Sequence, residues 1–268
     1  KADLAPAIGL NSMGFNLARV LGPSVAALVI ARLGVAWTFG LNALSYLAVL
    51  LGLALIRLEE RRAAVRPGES ALDGMRDAVR HVRATEPLPI LLAIATIFSV
   101  LGVPIITLLP VVARDQLHLA ADGYGGLMAM LGLGAVAGAL SIAATGGGVE
   151  RGRLFRRASF AFPLLLIVFG FVHTPWVNGL LLLAIGFTMI LNNALVNARL
   201  QELVPDALRG RLLSLYVVVY GGGSPIGSFV GGWVARQWGV DWAIGGGAAL
   251  MLTFAIWAFR AHPRLTAH

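Results

Sequence analysis

The chain has 268 residues, 58% of them hydrophobic and 13% charged, with a mean hydropathy of +0.81. A soluble domain carries roughly 25% charged residues, so a water-exposed globular fold is excluded; it would present too much apolar surface. The net charge of +8 accompanies apolar runs of about twenty residues, enough to cross a bilayer as a helix, and basic residues in such a chain mark cytoplasmic loops rather than a nucleic-acid surface.

These runs specify an all-α polytopic membrane protein. The alternating strands of roughly ten residues that build an outer-membrane barrel are absent. With no cysteine in the chain, disulfides, thiol catalysis and thiolate metal sites are ruled out. Eight spans are predicted, at about 7–31, 35–57, 89–113, 123–145, 156–173, 176–198, 211–235 and 240–260.

The first span carries Arg19 deep in its apolar run, roughly 20 Å of helical rise from its start. A central Arg costs on the order of 3 kcal/mol to insert. Ser12, Asn16, Arg19 and Pro23 are spaced to share one helix face. That face looks into protein or a water-filled cavity. It is either a cavity wall that attracts polar or anionic groups, or the seat of a structural Arg bonded to a neighbouring helix. Gly14, Gly22 and Pro23 add small residues and a missing backbone donor, the ingredients of a close, bendable helix contact.

Between the second and third spans lies the longest connection, 58–87. Ser70 and Asp73 resemble a capping box. Leu72, Met75, Val79 and Val82 then recur at helical spacing with Arg and Asp on the other face. The expectation is an amphipathic helix lying on the membrane surface; the alternative is a lipid- or partner-binding switch. The third span offers Thr96, Ser99 and Thr107 as polar candidates, and in the fourth Gly134-x-x-x-Gly138 points to packing. The sixth span is the most polar, with Thr188, Asn192, Asn193 and Asn197 at paired helical spacings. These side chains need partners in the bundle or a substrate in a cavity. The seventh span holds Tyr216 and Tyr220, then Pro225, Gly227, Gly231 and Gly232.

The basic residues orient the chain. Seventeen fall at the N-terminus, in 57–87, 146–157 and 199–211, and in the tail; three, Arg32, Arg114 and Arg236, fall in the opposite connections. The positive-inside rule then places both ends and residues 58–87 in the cytoplasm. Twenty of the 21 basic residues are Arg, a bias that points to a GC-rich bacterial genome.

Nothing suggests an enzyme. The five histidines (81, 118, 173, 262, 268) are expected in loops or tails without metal spacing. The Gly-rich runs lie inside apolar spans and so are not phosphate loops. No cofactor or metal is expected. Asp and Glu are absent from the apolar spans, Asp241 sitting only at an edge, so these residues offer no obvious membrane carboxylate for ion coupling.

The stretch from Ala18 to Trp37, "ARVLGPSVAALVIARLGVAW", is echoed from Gly221 to Trp242 by "GGGSPIGSFVGGWVARQWGVDW". Six spans separate equivalent helices of the two copies, the period of the parallel repeats in major facilitator transporters. The first 47 or so residues closely resemble the fifth and sixth helices of that superfamily's efflux branch, the enterobactin-exporter and macrolide-efflux-like proteins. "GGGVERGRLFRR" is similar to the second copy of the superfamily's loop motif, with Glu150, Arg151, Gly152 and Arg153. "QELVPDALRGRLLSLY", with Pro205, Arg209, Gly210 and Arg211, looks like the signature before helix eleven.

The resemblance implies helices five to twelve of a twelve-helix bundle. Residues 1–57 would close the N-terminal half, 58–87 would be the cytoplasmic linker, 88–262 the six-helix C-terminal half and 263–268 a tail. It implies a monomeric secondary transporter of the bacterial cytoplasmic membrane, exporting small amphipathic molecules such as drugs or siderophores by proton antiport. Importer, facilitator and non-transporting scaffold or inactive fragment are the alternatives. Its central cavity would draw on Ser12, Asn16, Arg19, Thr188, Asn192, Asn193, Asn197, Tyr216 and Tyr220, and Gly22-Pro23 and Pro225 to Gly232 would form an interface between the halves. The partners implied are the lipid bilayer, a small-molecule substrate and the proton; nucleic acid is not among them.

Overall fold

The computed structural model describes Val29 and residues 35–55, 71–144 and 149–265. Its regular elements are helical: α1 (Val35–Leu55), α2 (Ala71–Ala84), α3 (Leu88–Ile97), α4 (Ile105–Val111), α5 (Ala121–Ala144), α6 (Val149–Phe171), α7 (Pro175–Glu202), α8 (Asp206–Trp238) and α9 (Val240–Ala261), closed by a short 3-10 turn, Pro263–Leu265. Helices α3 and α4 belong to one span, Leu88–Gln116. Among the described residues, seven stretches are long and apolar enough to cross a membrane, and they match the second to eighth expected spans. The first expected span, Val29 apart, lies outside the described residues, and with it Ser12, Gly14, Asn16, Arg19, Gly22 and Pro23.

The structure departs from the sequence expectations in four places. The 199–211 connection contracts to residues 203–205, because α7 runs to Glu202 and α8 starts at Asp206. Pro205 (φ −54°, ψ 145°) supplies the extended lead-in; a proline cannot continue α7 but is well tolerated just ahead of a helix. Arg209, Gly210 and Arg211 therefore lie on α8, and Glu150 to Arg153 on the first turn of α6, rather than in loops. His81 lies on α2, not in a loop, because the amphipathic pattern runs on to Ala84. The third span is not one uninterrupted α-helix: π-helical turns occupy Phe98–Gly102 and Val112–Gln116. Val103 N–H donates to the Phe98 carbonyl at 3.2 Å and Leu117 N–H to that of Val112 at 3.0 Å. Pro104 and Pro110 have no N–H to give, which favours a widened turn beside them.

Glycine sets the packing. In lipid there is little hydrophobic drive to bring helices together, so small residues that permit close backbone approach take over. A Cβ on Gly134 of α5 would lie 1.8 Å from the Leu183 carbonyl oxygen of α7, and one on Gly186 of α7 would lie 2.0 Å from that of Leu131. Gly138 extends the same contact, toward Phe187. Helix α6 meets α9 where a Cβ on Gly245 would strike the Phe171 ring at 2.5 Å. Helix α8 meets the first π turn where a Cβ on Gly227 would lie 1.9 Å from the Val100 carbonyl oxygen.

The six spans from Leu88 onward share a core in two layers along the helix axes. One layer gathers Leu109, Phe162, Phe169, Leu182 and Ile185; the other gathers Leu88, Leu91, Leu200 and Leu212. Val82 of α2 is buried in the second layer, which seats the amphipathic helix against the ends of α3 and α8. Met75 and Val79 on α2 are half-buried while Arg76, Arg80 and Arg83 are exposed. Helix α1 differs: none of its described side chains is buried, and Trp37, Leu44 and Leu55 are among its exposed apolar groups. Such a face belongs against lipid or other membrane helices.

At the end opposite α2, Trp176, Trp233, Trp238 and Trp242 are all exposed around the α6–α7 and α8–α9 connections. Tryptophan concentrates at membrane–water interfaces, so this end sits at a headgroup layer. The Arg distribution predicts that it is the external one. With Ser70→Cys and His118→Cys introduced singly, an impermeant thiol reagent added outside intact cells is expected to label position 118 and spare position 70. The reverse pattern would overturn the orientation.

Candidate functional site

The span Leu88–Gln116, α5, α7 and α8 surround a cleft of about 540 Å³. Its wall is mostly aliphatic, with Val103, Ile106 and Met189, and its polar side chains are Asn193, Tyr216 and Tyr220. Among the described residues no lining side chain carries a formal charge. The rings of Tyr216 and Tyr220 stack, 5.6 Å apart and 12° from parallel. Phe98 continues the stack from Tyr220 (6.3 Å, 22°), and Phe162 from Phe98 (4.5 Å, 29°). One face of the cleft is thus the end of an aromatic ladder reaching into the core.

The two tyrosines are held from both sides. Gly223 and Gly227 bring α8 against the π turn, and Ser99 donates its hydroxyl hydrogen bond to the Tyr220 carbonyl. Thr107 and Ser228 share a hydrogen bond at 3.0 Å. Thr96 bonds back to the Leu92 carbonyl. These three polar candidates of the third span therefore fasten helices and turns. Tyr216 is only 5% exposed, and its hydroxyl is buried beside the Asn197 side chain.

Helix α7 divides its polar quartet between two faces. Adjacent residues are about 100° apart on a helix, so Asn192 and Asn193 cannot face the same neighbour. Asn193 lines the cleft. Asn192, 3% exposed, donates from Nδ2 to Ser159 Oγ of α6 at 2.9 Å. Thr188 is buried on that same face and bonds to the Ala184 and Ile185 carbonyls of its own helix. Thr188 and Asn192 are thus turned from the cleft that the sequence assigned them, because Ser159 offers a protein partner. Asn197 accepts a hydrogen bond from Gln201 on its own helix.

The small residues of α8 also divide. Gly227 is buried against Val100, and Gly231 makes ordinary contact with Leu108 and Pro104, all within residues 88–262. Pro225 and Gly232 are exposed. Among the described residues the closest approach of this motif is to the neighbouring span of the same six-helix unit; the Gly22-Pro23 side of the expected interface lies outside the described residues.

At the α2 end, Arg151 Nη1 lies 3.6 Å from Glu202 Oε1, and Arg199 Nη1 lies 3.3 Å from Glu202 Oε2. This ties the first turn of α6 to the last turn of α7. Glu202 is half exposed, so water screens the pairs, each worth about 1 kcal/mol at most. Gly152 is half-buried; Arg153, Arg209 and Gly210 are exposed. At the other end, His173 Nε2 stands 3.6 Å from Asp241 Oδ1, and Asn178 Nδ2 donates to the Val172 carbonyl at 2.8 Å. Among the described residues no group of three His, Cys, Asp or Glu side chains could hold a metal.

Sequence reasoning overlooked Met189, Val103 and Ile106, which carry no chemical signature, and Ser159, whose role depends on Asn192. It also passed over Gly223, which the four-residue spacing with Gly227 and Gly231 could have revealed.

The sequence profile of the family described as transmembrane secretion effector matches residues 1–267. The chain belongs to this family of the major facilitator superfamily. Among curated relatives, this major facilitator chain is 28% identical over 254 residues to the enterobactin exporter EntS of Shigella flexneri, covering 94% of the chain and 59% of the relative. It is 27% identical over 256 residues to the enterobactin exporter of Escherichia coli O1:K1, covering 94% and 60%. The exporter of Citrobacter koseri matches at 27% over 231 residues, 85% and 54%. The chain thus spans about 60% of the length of the first two.

Proposed function

We propose that this chain acts in secondary active export of small amphipathic molecules across the bacterial cytoplasmic membrane, driven by proton antiport. The observation that carries the reading is the cleft: a largely apolar wall, built by four spans of a major facilitator protein, with three polar side chains on it. Ligand sites are typically apolar concavities with a few placed polar groups. The enterobactin-exporter relatives favour export and a small-molecule cargo. In this reading residues 1–57 and 88–262 belong to opposite halves, 58–87 links them on the cytoplasmic side, and the transporter works as a monomer. Ser12, Asn16 and Arg19 complete the cavity opposite Asn193, Tyr216 and Tyr220.

Proton coupling needs a titratable membrane group. Within the described spans Asp115, Asp122, Glu202 and Asp241 all sit at span ends, so the coupling group is assigned outside the described residues. Inverted vesicles from cells expressing the protein, energised by respiration, are expected to accumulate the fluorescent probe N-phenylnaphthylamine above the level of vector-only vesicles, and an uncoupler should abolish the difference. Equal accumulation would overturn the export reading; energised uptake confined to right-side-out vesicles would make the protein an importer.

A further inference from the structure

We infer that the seam between α6 and α9, at its α2 end, holds the headgroup of an anionic phospholipid carrying two phosphodiesters. The site lies on the outside of the bundle and concerns neither the cargo nor the energy source. Arg153, Arg156 and Arg157 stand on the first turns of α6, and Arg260 on the last turn of α9. The Phe259 ring of α9 sets their level. Its centre lies 5.5 Å from that of Phe155 and 5.4 Å from that of Phe160, both on α6. Arg156 and Arg157 fall between those two phenylalanines in the chain, and Arg260 follows Phe259. The arginines of the two helices are therefore at one height.

Helical bearings show where they point. At about 100° per residue, Arg156 projects between Phe155 and Phe160, on the α9 side of α6. Arg153 and Arg157 project with Leu164 and Val168, and Arg260 with Ile256 and Trp257. All of these except the two phenylalanines are exposed. Each helix thus presents an apolar outer stripe that ends in guanidinium groups. Trp257, one turn inward of Arg260, marks the boundary between acyl chains and headgroups.

The charge is uncompensated within the protein. Among the described residues none of these four arginines has an ion pair or a hydrogen bond, whereas Arg151 and Arg199 are both tied to Glu202. Arg153 stands three and four positions from Arg156 and Arg157, spacings at which like charges repel on a helix. A counter-anion relieves that repulsion. The guanidinium fork matches phosphate oxygens in pairs, and basic pockets between membrane helices suit phospholipid headgroups. The apolar stripes below call for an anion with acyl chains rather than a soluble one. Spread over two helices, the arginines suit two phosphodiesters better than one, and the Phe155–Phe259–Phe160 contact keeps their separation fixed.

Native mass spectrometry of the detergent-purified chain, titrated with cardiolipin, phosphatidylglycerol or phosphatidylcholine, tests this. Cardiolipin is expected to reach half-occupancy at the lowest concentration and phosphatidylcholine at the highest. Arg157→Gln and Arg260→Gln should each weaken cardiolipin about fivefold, and the double variant on the order of 25-fold. Arg83→Gln removes an exposed arginine of α2 at the same end and should leave cardiolipin binding unchanged. Unfolding midpoints without added lipid, equal to that of the wild type, will show that the variants are folded. Equal occupancy by cardiolipin and phosphatidylcholine, or wild-type binding by the double variant, would overturn the inference. So would Arg83→Gln costing as much as Arg157→Gln, which would leave only diffuse attraction. Phosphatidylglycerol binding as tightly as cardiolipin would overturn the bridging of two phosphodiesters. Displacement of cardiolipin by inorganic phosphate at equal concentration would make the occupant a soluble anion.

Discussion

Gly227→Ala is expected to lower the unfolding midpoint of the detergent-purified protein by about 5 °C, while Gly222→Ala and Gly232→Ala leave it unchanged or raise it slightly. All three glycines lie inside α8. In a helix interior, Ala is better than Gly by ~1 kcal/mol. At Gly222 and Gly232 a Cβ meets nothing within 4 Å among the described residues, so the propensity gain stands alone. At Gly227 the Cβ falls 1.9 Å from a backbone oxygen, which no rotamer change can clear. The two helices must separate, and overpacking of this kind costs about 1–3 kcal/mol or more. Separation also strains the Ser99–Tyr220 and Thr107–Ser228 hydrogen bonds that straddle the contact. The midpoint is followed by tryptophan fluorescence on heating. A Gly227→Ala protein as stable as the Gly222→Ala control would mean that the close contact is not made.

Arg19→Ala is expected to bring export down to the vector background while the amount of protein in the membrane stays near wild type. Export here is loss of N-phenylnaphthylamine from energised cells at matched expression. An Arg in the middle of a span is retained against an insertion cost on the order of 3 kcal/mol, and its charge is fixed at physiological pH, so it cannot be the proton carrier. It can attract an anionic part of the cargo or hold a membrane carboxylate ionised. The cleft wall formed by the described residues has no formal charge, so a fixed charge within the cavity has to come from elsewhere, and Arg19 is the candidate the sequence supplies. Arg19→Lys should restore only part of the activity, because an ammonium does not reproduce the planar guanidinium fork. Wild-type export by Arg19→Ala would reduce the residue to packing.

The spans were legible because hydropathy over some twenty residues is a strong, local signal. What the sequence blurred is what neighbours decide. Whether Arg209 to Arg211 lie in a loop or a helix turns on how soon a chain can restart after Pro205, and the restart takes only residues 203–205. The π turns at Phe98 and Val112 are invisible in an apolar run, though Pro104 and Pro110 hint at trouble. On α7, spacing alone sorts Thr188 and Asn192 onto one face and Asn193 onto another. Which face meets protein was not readable, because Ser159 lies 33 positions away in sequence. Tyr216 and Tyr220 stand one helical turn apart in the sequence. Their stack with Phe98 and Phe162 needed three helices to be assembled first.

The junction between α8 and α9 is a single residue, Gly239, with φ of +96°. One residue leaves no slack. The two helices form a stiff fork, and any tilt imposed on α8 is handed to α9 at the tines' common root. Helix α9 is in turn meshed with α6 at Gly245 and Phe171. A tilt of α8 at the cleft wall is therefore passed to α9 and on to α6, which is itself fastened to α7 through Ser159–Asn192 and Arg151–Glu202. A lengthened junction, with two or three residues in place of Gly239, would uncouple the fork and leave α8 free to rock alone.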